Sequence, residues 1–170
     1  LLDGGKTEIG VESTVVEVAG GEVIVLRPGG TNVEELRELV GGVSVPGSNE
    51  YAESSPGKYP QHYSPSAEVV LVESGASQTE SVLGALSDTA LRGKKAGVLA
   101  RQEHEDLYRG HNAKVLGPGD DPRTCASRLF HLLREFDSEN VDVIVAEGIT
   151  EEGLGLAIMN RLRKAAGPAF

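Results

Sequence analysis

Glu68-Val69-Val70-Leu71-Val72-Glu73, Lys95-Ala96-Gly97-Val98-Leu99-Ala100 and Val141-Asp142-Val143-Ile144-Val145-Ala146-Glu147 decide the fold. Each is a short, β-branched-rich run that reads as a strand. Between the first two, Val82, Leu86 and Ala90 recur at near-fourfold spacing, which predicts a helix over 78–92. Asp121-Pro122 marks a second helix start, with Asp as cap and Pro in the first turn, and that helix buries Ala126, Leu129, Phe130 and Leu133. A short helix over 103–109 and a short strand over 113–116 fill the interval. The last helix, from about 154 to 166, ends in Arg161, Arg163 and Lys164, which suit its C-terminal dipole. Strand–helix alternation predicts an α/β unit over 67–170, a Rossmann-like parallel sheet with flanking helices.

Upstream, the character changes twice. Residues 49–66 are rich in Ser, Pro, Gly, Tyr and His, and Pro56, Pro60 and Pro65 block regular structure, so they read as a semi-rigid linker. Residues 1–48 read as the truncated tail of another α/β domain. Two β-branched runs, 13–18 and 22–27, flank Gly20-Gly21, the signal of a two-residue hairpin. Thr31 with Glu34 forms a candidate capping box for a short helix carrying Val33, Leu36, Leu39 and Val40. Pairing the strands about Gly20-Gly21 sets Ala19 against Glu22, Val16 against Val25 and Thr14 against Arg27. A guanidinium beside the hydroxyls of Ser13 and Thr14 suits a phosphate or a carboxylate, and Pro28-Gly29 lets a ligand approach the backbone. A merely solvated edge hairpin is the competing reading.

The charge balance, 16 basic against 26 acidic residues for a net −10, disfavours non-specific nucleic-acid binding. Lone Cys125 excludes an internal disulfide and fits a reducing, cytoplasmic setting. No apolar run is long enough to span a bilayer. The first residue is Leu1 and no signal peptide is visible, so a fragment is expected.

Three segments in fixed order carry a resemblance: 10–16 (Gly-Val-Glu-Ser-Thr-Val-Val), 26–29 (Leu-Arg-Pro-Gly), and Ser55-Pro56-Gly57 followed by His62-Tyr63-Ser64-Pro65. They resemble the second half of the two-domain threonylcarbamoyl-AMP synthases. The run 153–162 also resembles that family's closing helix. Lys58, Tyr59, Pro60 and Gln61 depart from the family's linker pattern, and Ser64 stands for Ala. The resemblance implies that Ser13 binds L-threonine, with Thr14 added from the strand pairing. It implies that Arg27 binds ATP, and that His62 and Tyr63 belong to a linker that folds over the active site. No residue is assigned a catalytic role, and none a metal-binding one.

The implied reaction joins L-threonine, bicarbonate and ATP, with Mg²⁺, into threonylcarbamoyl-AMP and pyrophosphate, for threonylcarbamoyladenosine modification of tRNA. Partner proteins of the threonylcarbamoyl transfer machinery are implied, and direct tRNA binding is not. The family's Lys-x-Arg segment and central Ser-x-Asn motif are expected upstream of Leu1, so the isolated chain is expected to lack synthase activity. The alternative is a non-catalytic nucleotide-sensing or partner-docking module. An oxidoreductase is disfavoured, because Gly153 and Gly155 follow the last strand and Ile158 takes the third glycine position. They read instead as a tight turn, although Asn160 and Arg161 remain able to face a ligand at the sheet edge. His104, His111 and His131 have no second ligand at metal spacing and read as surface or partly packed. The stretch 103–106 reads as a solvated acidic face, Cys125 as a buried thiol, and 117–121 as a helix-capping loop.

Overall fold

The computed structural model describes residues 2, 5, 7–46 and 64–167. They form two sheets. The first has three strands, β1 (Val15–Ala19), β2 (Glu22–Arg27) and β3 (Val43–Ser44), with helix α1 (Val33–Val40) between β2 and β3. Gly20 and Gly21 turn the β1–β2 hairpin with φ of +60° and +86°, the left-handed pair that a tight hairpin demands. Helix α1 begins one residue later than its sequence suggests. Asn32 is the cap: its side chain accepts from the Glu35 N–H at 2.7 Å, and the Glu35 carboxylate accepts from the Asn32 N–H at 3.2 Å. Thr31 is held outside the helix because both its backbone groups bond the Thr14 hydroxyl. Only Val33 of the α1 stripe is buried, while Leu39 and Val40 face solvent in this chain.

The second sheet has four parallel strands, β4 (Glu68–Val72), β5 (Ala96–Arg101), β6 (Asn112–Gly117) and β7 (Val143–Glu147), in the order β4-β7-β5-β6. Its connections are α2 (Gln78–Leu91), a 3-10 helix (Gln102–Tyr108) and α3 (Pro122–Ser138), and α4 (Gly155–Ala166) closes the chain. All five residues of β7 are buried, as the sequence of a central parallel strand requires. Its side chains alternate between two cores. Ile144 and Ala146 join Leu129, Leu133 and Phe136 of α3 and Ile158 and Leu162 of α4. Val143 and Val145 join Val82 and Leu86 of α2 and Tyr108 of the 3-10 helix. Helices therefore cover both faces, as the alternation predicts. Asp121 caps α3, its carboxylate accepting from the Thr124 N–H at 3.1 Å, so the 117–121 loop serves the helix behind it.

Residues 9–13 join the two sheets. Ile9 and Val11 pack on the core beneath α3 and α4. Gly10, at φ +79°, lies so close to α3 that a Cβ there would meet the Ala126 carbonyl at 2.4 Å. The N-terminal tail is thus part of the C-terminal packing, which its sequence did not announce.

Candidate functional site

The hairpin register follows expectation from Ala19–Glu22 to Val16–Val25 and then breaks. A bulge leaves Leu26 without a directly opposed residue and sets Val15, rather than Thr14, against Arg27. The expected Thr14–Arg27 pair is therefore corrected. Arg27 instead donates to the Ser13 carbonyl at 2.9 Å and the Ser13 hydroxyl at 3.4 Å. The Thr14 hydroxyl accepts from the Thr31 N–H at 3.1 Å and donates to its carbonyl at 2.5 Å. It braces the 28–31 turn against β1. The close approach at Gly29 comes from the chain itself: a Cβ there would lie 2.4 Å from the Glu12 oxygen, Ser13 carbon and Thr14 nitrogen. Gly30 adds an N–H bond to the Glu12 carbonyl at 2.9 Å. Ser13 is exposed and Arg27 half-buried, so the mouth of the hairpin presents a hydroxyl and a guanidinium together.

A second layer comes from α4. Arg161 donates through Nε at 2.9 Å and a terminal nitrogen at 2.7 Å to one Glu12 carboxylate oxygen, and its other terminal nitrogen donates to the Asn160 side-chain oxygen at 2.7 Å. Both residues take part in this junction. Burial pushes the Glu12 carboxyl up, but the Arg161 hydrogen bond and charge, Glu12's own backbone and the Arg27 charge outweigh it, and its pKa is lowered. Burial depresses the Lys164 ammonium, Arg161 and Arg27 depress it further, and Glu12 opposes them. His62 and Tyr63 lie outside the described residues.

The carboxyl edge of the four-stranded sheet holds a different cluster. Glu147, fully buried at the end of β7, accepts from the Arg101 N–H at 2.6 Å and the Tyr108 hydroxyl at 2.7 Å, and its other close partner is His104 Nδ1 at 2.6 Å. Gln78 donates to the carbonyls of Val72 (3.0 Å) and Gly148 (2.8 Å), and its side-chain oxygen accepts from Arg101 at 3.1 Å. His104 is therefore built into the fold, and Glu103 accepts from the Gly119 N–H at 2.9 Å, so the stretch 103–106 is more than a solvated face. Glu147's partners are 39 to 46 residues from it, a separation that no local motif signals. Burial, then the Glu147 hydrogen bond and charge, raise the Tyr108 pKa well above its ordinary value. Ligands of open parallel sheets bind at this edge. Here its central carboxylate is engaged by the protein's own groups. Cys125 is buried, with its thiol on the Pro118 carbonyl at 3.3 Å, and burial followed by Asp121 and Glu103 pushes its pKa up to about 11. Among the described residues, no three His, Cys, Asp or Glu side chains gather as a metal site, and no helix is long and apolar enough to cross a membrane.

The family description "Threonylcarbamoyl-AMP synthase, C-terminal domain" matches residues 31–167. The threonylcarbamoyl-AMP synthase of Pyrococcus abyssi is 40% identical over 172 residues, covering 98% of this chain and 49% of that protein. Its Bacillus subtilis counterpart is 37% identical over 170 residues, covering 98% and 48%. The chain spans about half the length of the curated relatives it matches. The crystal structure of P. abyssi Sua5 complexed with L-threonine superposes with a TM-score of 0.83 at 38% identity, covering 96% of this chain and 48% of that one. A variant of P. abyssi Sua5 with a histidine and the following tyrosine changed to alanine superposes at 0.79 and 36% identity, covering 96% and 47%. With its two sheets, the Ser13–Arg27 mouth and a family match over most of its length, this chain belongs to the threonylcarbamoyl-AMP synthase family.

Proposed function

We propose that this chain is part of an L-threonylcarbamoyladenylate synthase, a nucleotidyltransferase that acts in threonylcarbamoyladenosine modification of tRNA. The observation that carries the reading is the Ser13–Arg27 contact at an exposed hairpin mouth in a chain of this family. The threonine amine and bicarbonate condense to a carbamate with loss of water. A carbamate oxygen then attacks the α-phosphorus of ATP; the new O–P bond forms as the bond to pyrophosphate breaks. Charge on the phosphates is the main burden, so fixed cations lower the barrier.

Arg27 supplies a guanidinium charge of the kind that suits phosphate oxygens. Ser13 orients threonine, a role in keeping with the relative crystallised with that amino acid. Thr14 supports the site from behind, its hydroxyl spent on Thr31. His62 and Tyr63, an adjacent pair like the one replaced in the P. abyssi variant, help exclude water from the labile product. Mg²⁺ arrives as the ATP complex and offsets phosphate charge. The described residues offer it no carboxylate cluster, and no step is assigned to it through this chain. The net charge of −10 disfavours direct tRNA binding.

The chain holds only part of the site, so pyrophosphate release is expected from a protein that joins it to the upstream half carried by its relatives, and not from the 170-residue chain alone. Threonine-dependent pyrophosphate release measured on both proteins tests this. Release from the isolated chain overturns the partial-site reading. Equal ATP affinity in wild type and Arg27→Ala favours instead a nucleotide-sensing module.

A further inference from the structure

We propose that Arg161, on the closing helix, is a positioning residue for Ser13, so that the C-terminal sheet and its helices serve the threonine site by fixing where the Ser13 hydroxyl stands. The inference rests on the reading that Ser13 orients threonine. It assigns the C-terminal unit a share in threonine recognition, exerted through Glu12.

Ser13 ends a segment that is held residue by residue. Ile9 and Val11 pack on the core beneath α3 and α4. Gly10 sits against the α3 backbone, where a Cβ would come within 2.4 Å of the Ala126 carbonyl oxygen and the Ser127 Cα. Glu12 takes two N–H donors from Arg161 on one carboxylate oxygen, at 2.9 and 2.7 Å. From the other side, the Gly30 N–H donates to the Glu12 carbonyl at 2.9 Å, and Arg27 donates to the Ser13 carbonyl at 2.9 Å. The hairpin therefore holds residues 12 and 13 by their backbone oxygens, and α4 holds residue 12 by its side chain.

Arg161 is built to hold a neighbour. Its three guanidinium nitrogens all donate within the protein, two to Glu12 and the third to the Asn160 side-chain oxygen. Its side chain is 9% exposed and Asn160 is buried, so the planar fork has a fixed direction that the point charge of a lysine would not reproduce. The hairpin is a poor anchor by itself, because its bulge interrupts the β1–β2 ladder beside Val15, two residues from Ser13. A binding hydroxyl works only within a narrow window of distance, and a misplacement of about 1 Å costs up to about a hundredfold. Arg163, on the same helix, is bound instead to Glu73 and Glu151, and so serves as the control.

The test is steady-state kinetics of threonine-dependent pyrophosphate release, at saturating ATP, by the protein that joins this chain to the upstream half. Wild type, Arg161→Ala, Arg161→Lys, Arg163→Ala and Ser13→Ala are compared, with both Arg161 substitutions also placed in the Ser13→Ala background. Arg161→Ala should raise the threonine KM about tenfold, the size of one lost hydrogen bond, and leave kcat little changed. Arg161→Lys should lie between it and wild type, and Arg163→Ala should match wild type. In the Ser13→Ala background neither Arg161 substitution should raise KM further, because the residue it positions has lost its hydroxyl. Mere destabilisation removes active molecules, which lowers kcat and leaves KM in place. That result from Arg161→Ala overturns the inference, as does an additive rise in the double variant or an equal rise in Arg163→Ala. If Arg161→Ala does not fold, Arg161→Lys in the two backgrounds carries the same comparison. If Ser13→Ala keeps the wild-type KM, the threonine role of Ser13 falls together with this inference, and the synthase reading stands. If the joined protein releases no pyrophosphate with threonine, the function proposed above falls as well.

Discussion

Arg161 and Glu12 are 149 residues apart in sequence and 2.7 Å apart in space, and their pair fastens the last helix to the segment that carries Ser13. The arginine side chain is 9% exposed and the glutamate 27%, so water screens the pair weakly. Removing one partner leaves the other charge partly buried, which outweighs the modest net worth of the intact pair. Arg161→Ala should lower unfolding free energy by roughly 2 kcal/mol in urea titrations, with Glu12→Gln costing less. The Glu12 carboxyl is lowered on folding, so its contribution is present above its ordinary pKa of 4.5 and is lost as pH falls through the folded value. The gap between wild type and Glu12→Gln should therefore close in acid. A constant gap down to full protonation would show that the pair does not act through charge.

Gly29→Ala tests whether the packing at the hairpin mouth sets the site. The new methyl would stand 2.4 Å from three backbone atoms of residues 12–14, none of which can rotate away. Overpacking of this kind costs about 1–3 kcal/mol. ATP affinity should fall by at least as much as in Arg27→Ala, because the Ser13 segment moves away from the guanidinium. Amide NMR shifts should change in residues 11–16 and 26–31 and leave β5 and β7 untouched.

Tyr108→Phe tests the Glu147 cluster. The phenol donates to a fully buried carboxylate, and hydrogen bonds to charged groups contribute about 1.5–3 kcal/mol, so the variant should unfold at lower urea by that amount. Its pKa is raised on folding, so the neutral phenol stabilises the native state below pH 10 and that contribution is lost as pH rises beyond it. Wild-type stability should fall in strong alkali, and the phenolate absorbance of Tyr108 should appear only with unfolding.

Cys125 should be inert in the folded chain. Its thiol is buried and its pKa is pushed up to about 11, so little thiolate is present near neutrality. A disulfide reagent at pH 8 should label it only as fast as the protein opens, and stoichiometrically in denaturant. Rapid native labelling would place the thiol at the surface.

Much of the fold is legible in the sequence because it is written locally. The runs at 68–73, 95–100 and 141–147 announce strands, and Asp121-Pro122 announces the start of α3, since caps and periodicity act within a few residues. Gly20-Gly21 likewise fixes the near end of the hairpin. The far end was not legible: a bulge adds one residue to β2 and moves every later pairing by one, and no residue type marks it. The cap at Asn32 escaped for a related reason, because the Thr14 hydroxyl, 17 residues away, claims Thr31 first. The contacts that join distant segments, Arg161 to Glu12 and His104 to Glu147, depend on which crossover brings two strand ends together. Family resemblance pointed to Ser13 and Arg27, but only coordinates show the Arg27 guanidinium on Ser13 and leave Thr14 as the brace.

The strand order β4-β7-β5-β6 has a consequence for biosynthesis. The inner strand β7 is made after the other three strands of its sheet, so β4 and β5 have no common neighbour until Val143–Glu147 emerges. Helix α4 emerges later still, and Glu12 waits for Arg161, 149 residues further along the chain, before their pair can form. A nascent chain halted before residue 143 would hold two unjoined apolar strands, the natural binding motif of a chaperone. Stalling synthesis before Val143 should therefore raise chaperone dependence, and proteolytic resistance should arrive only once β7 and α4 have been made.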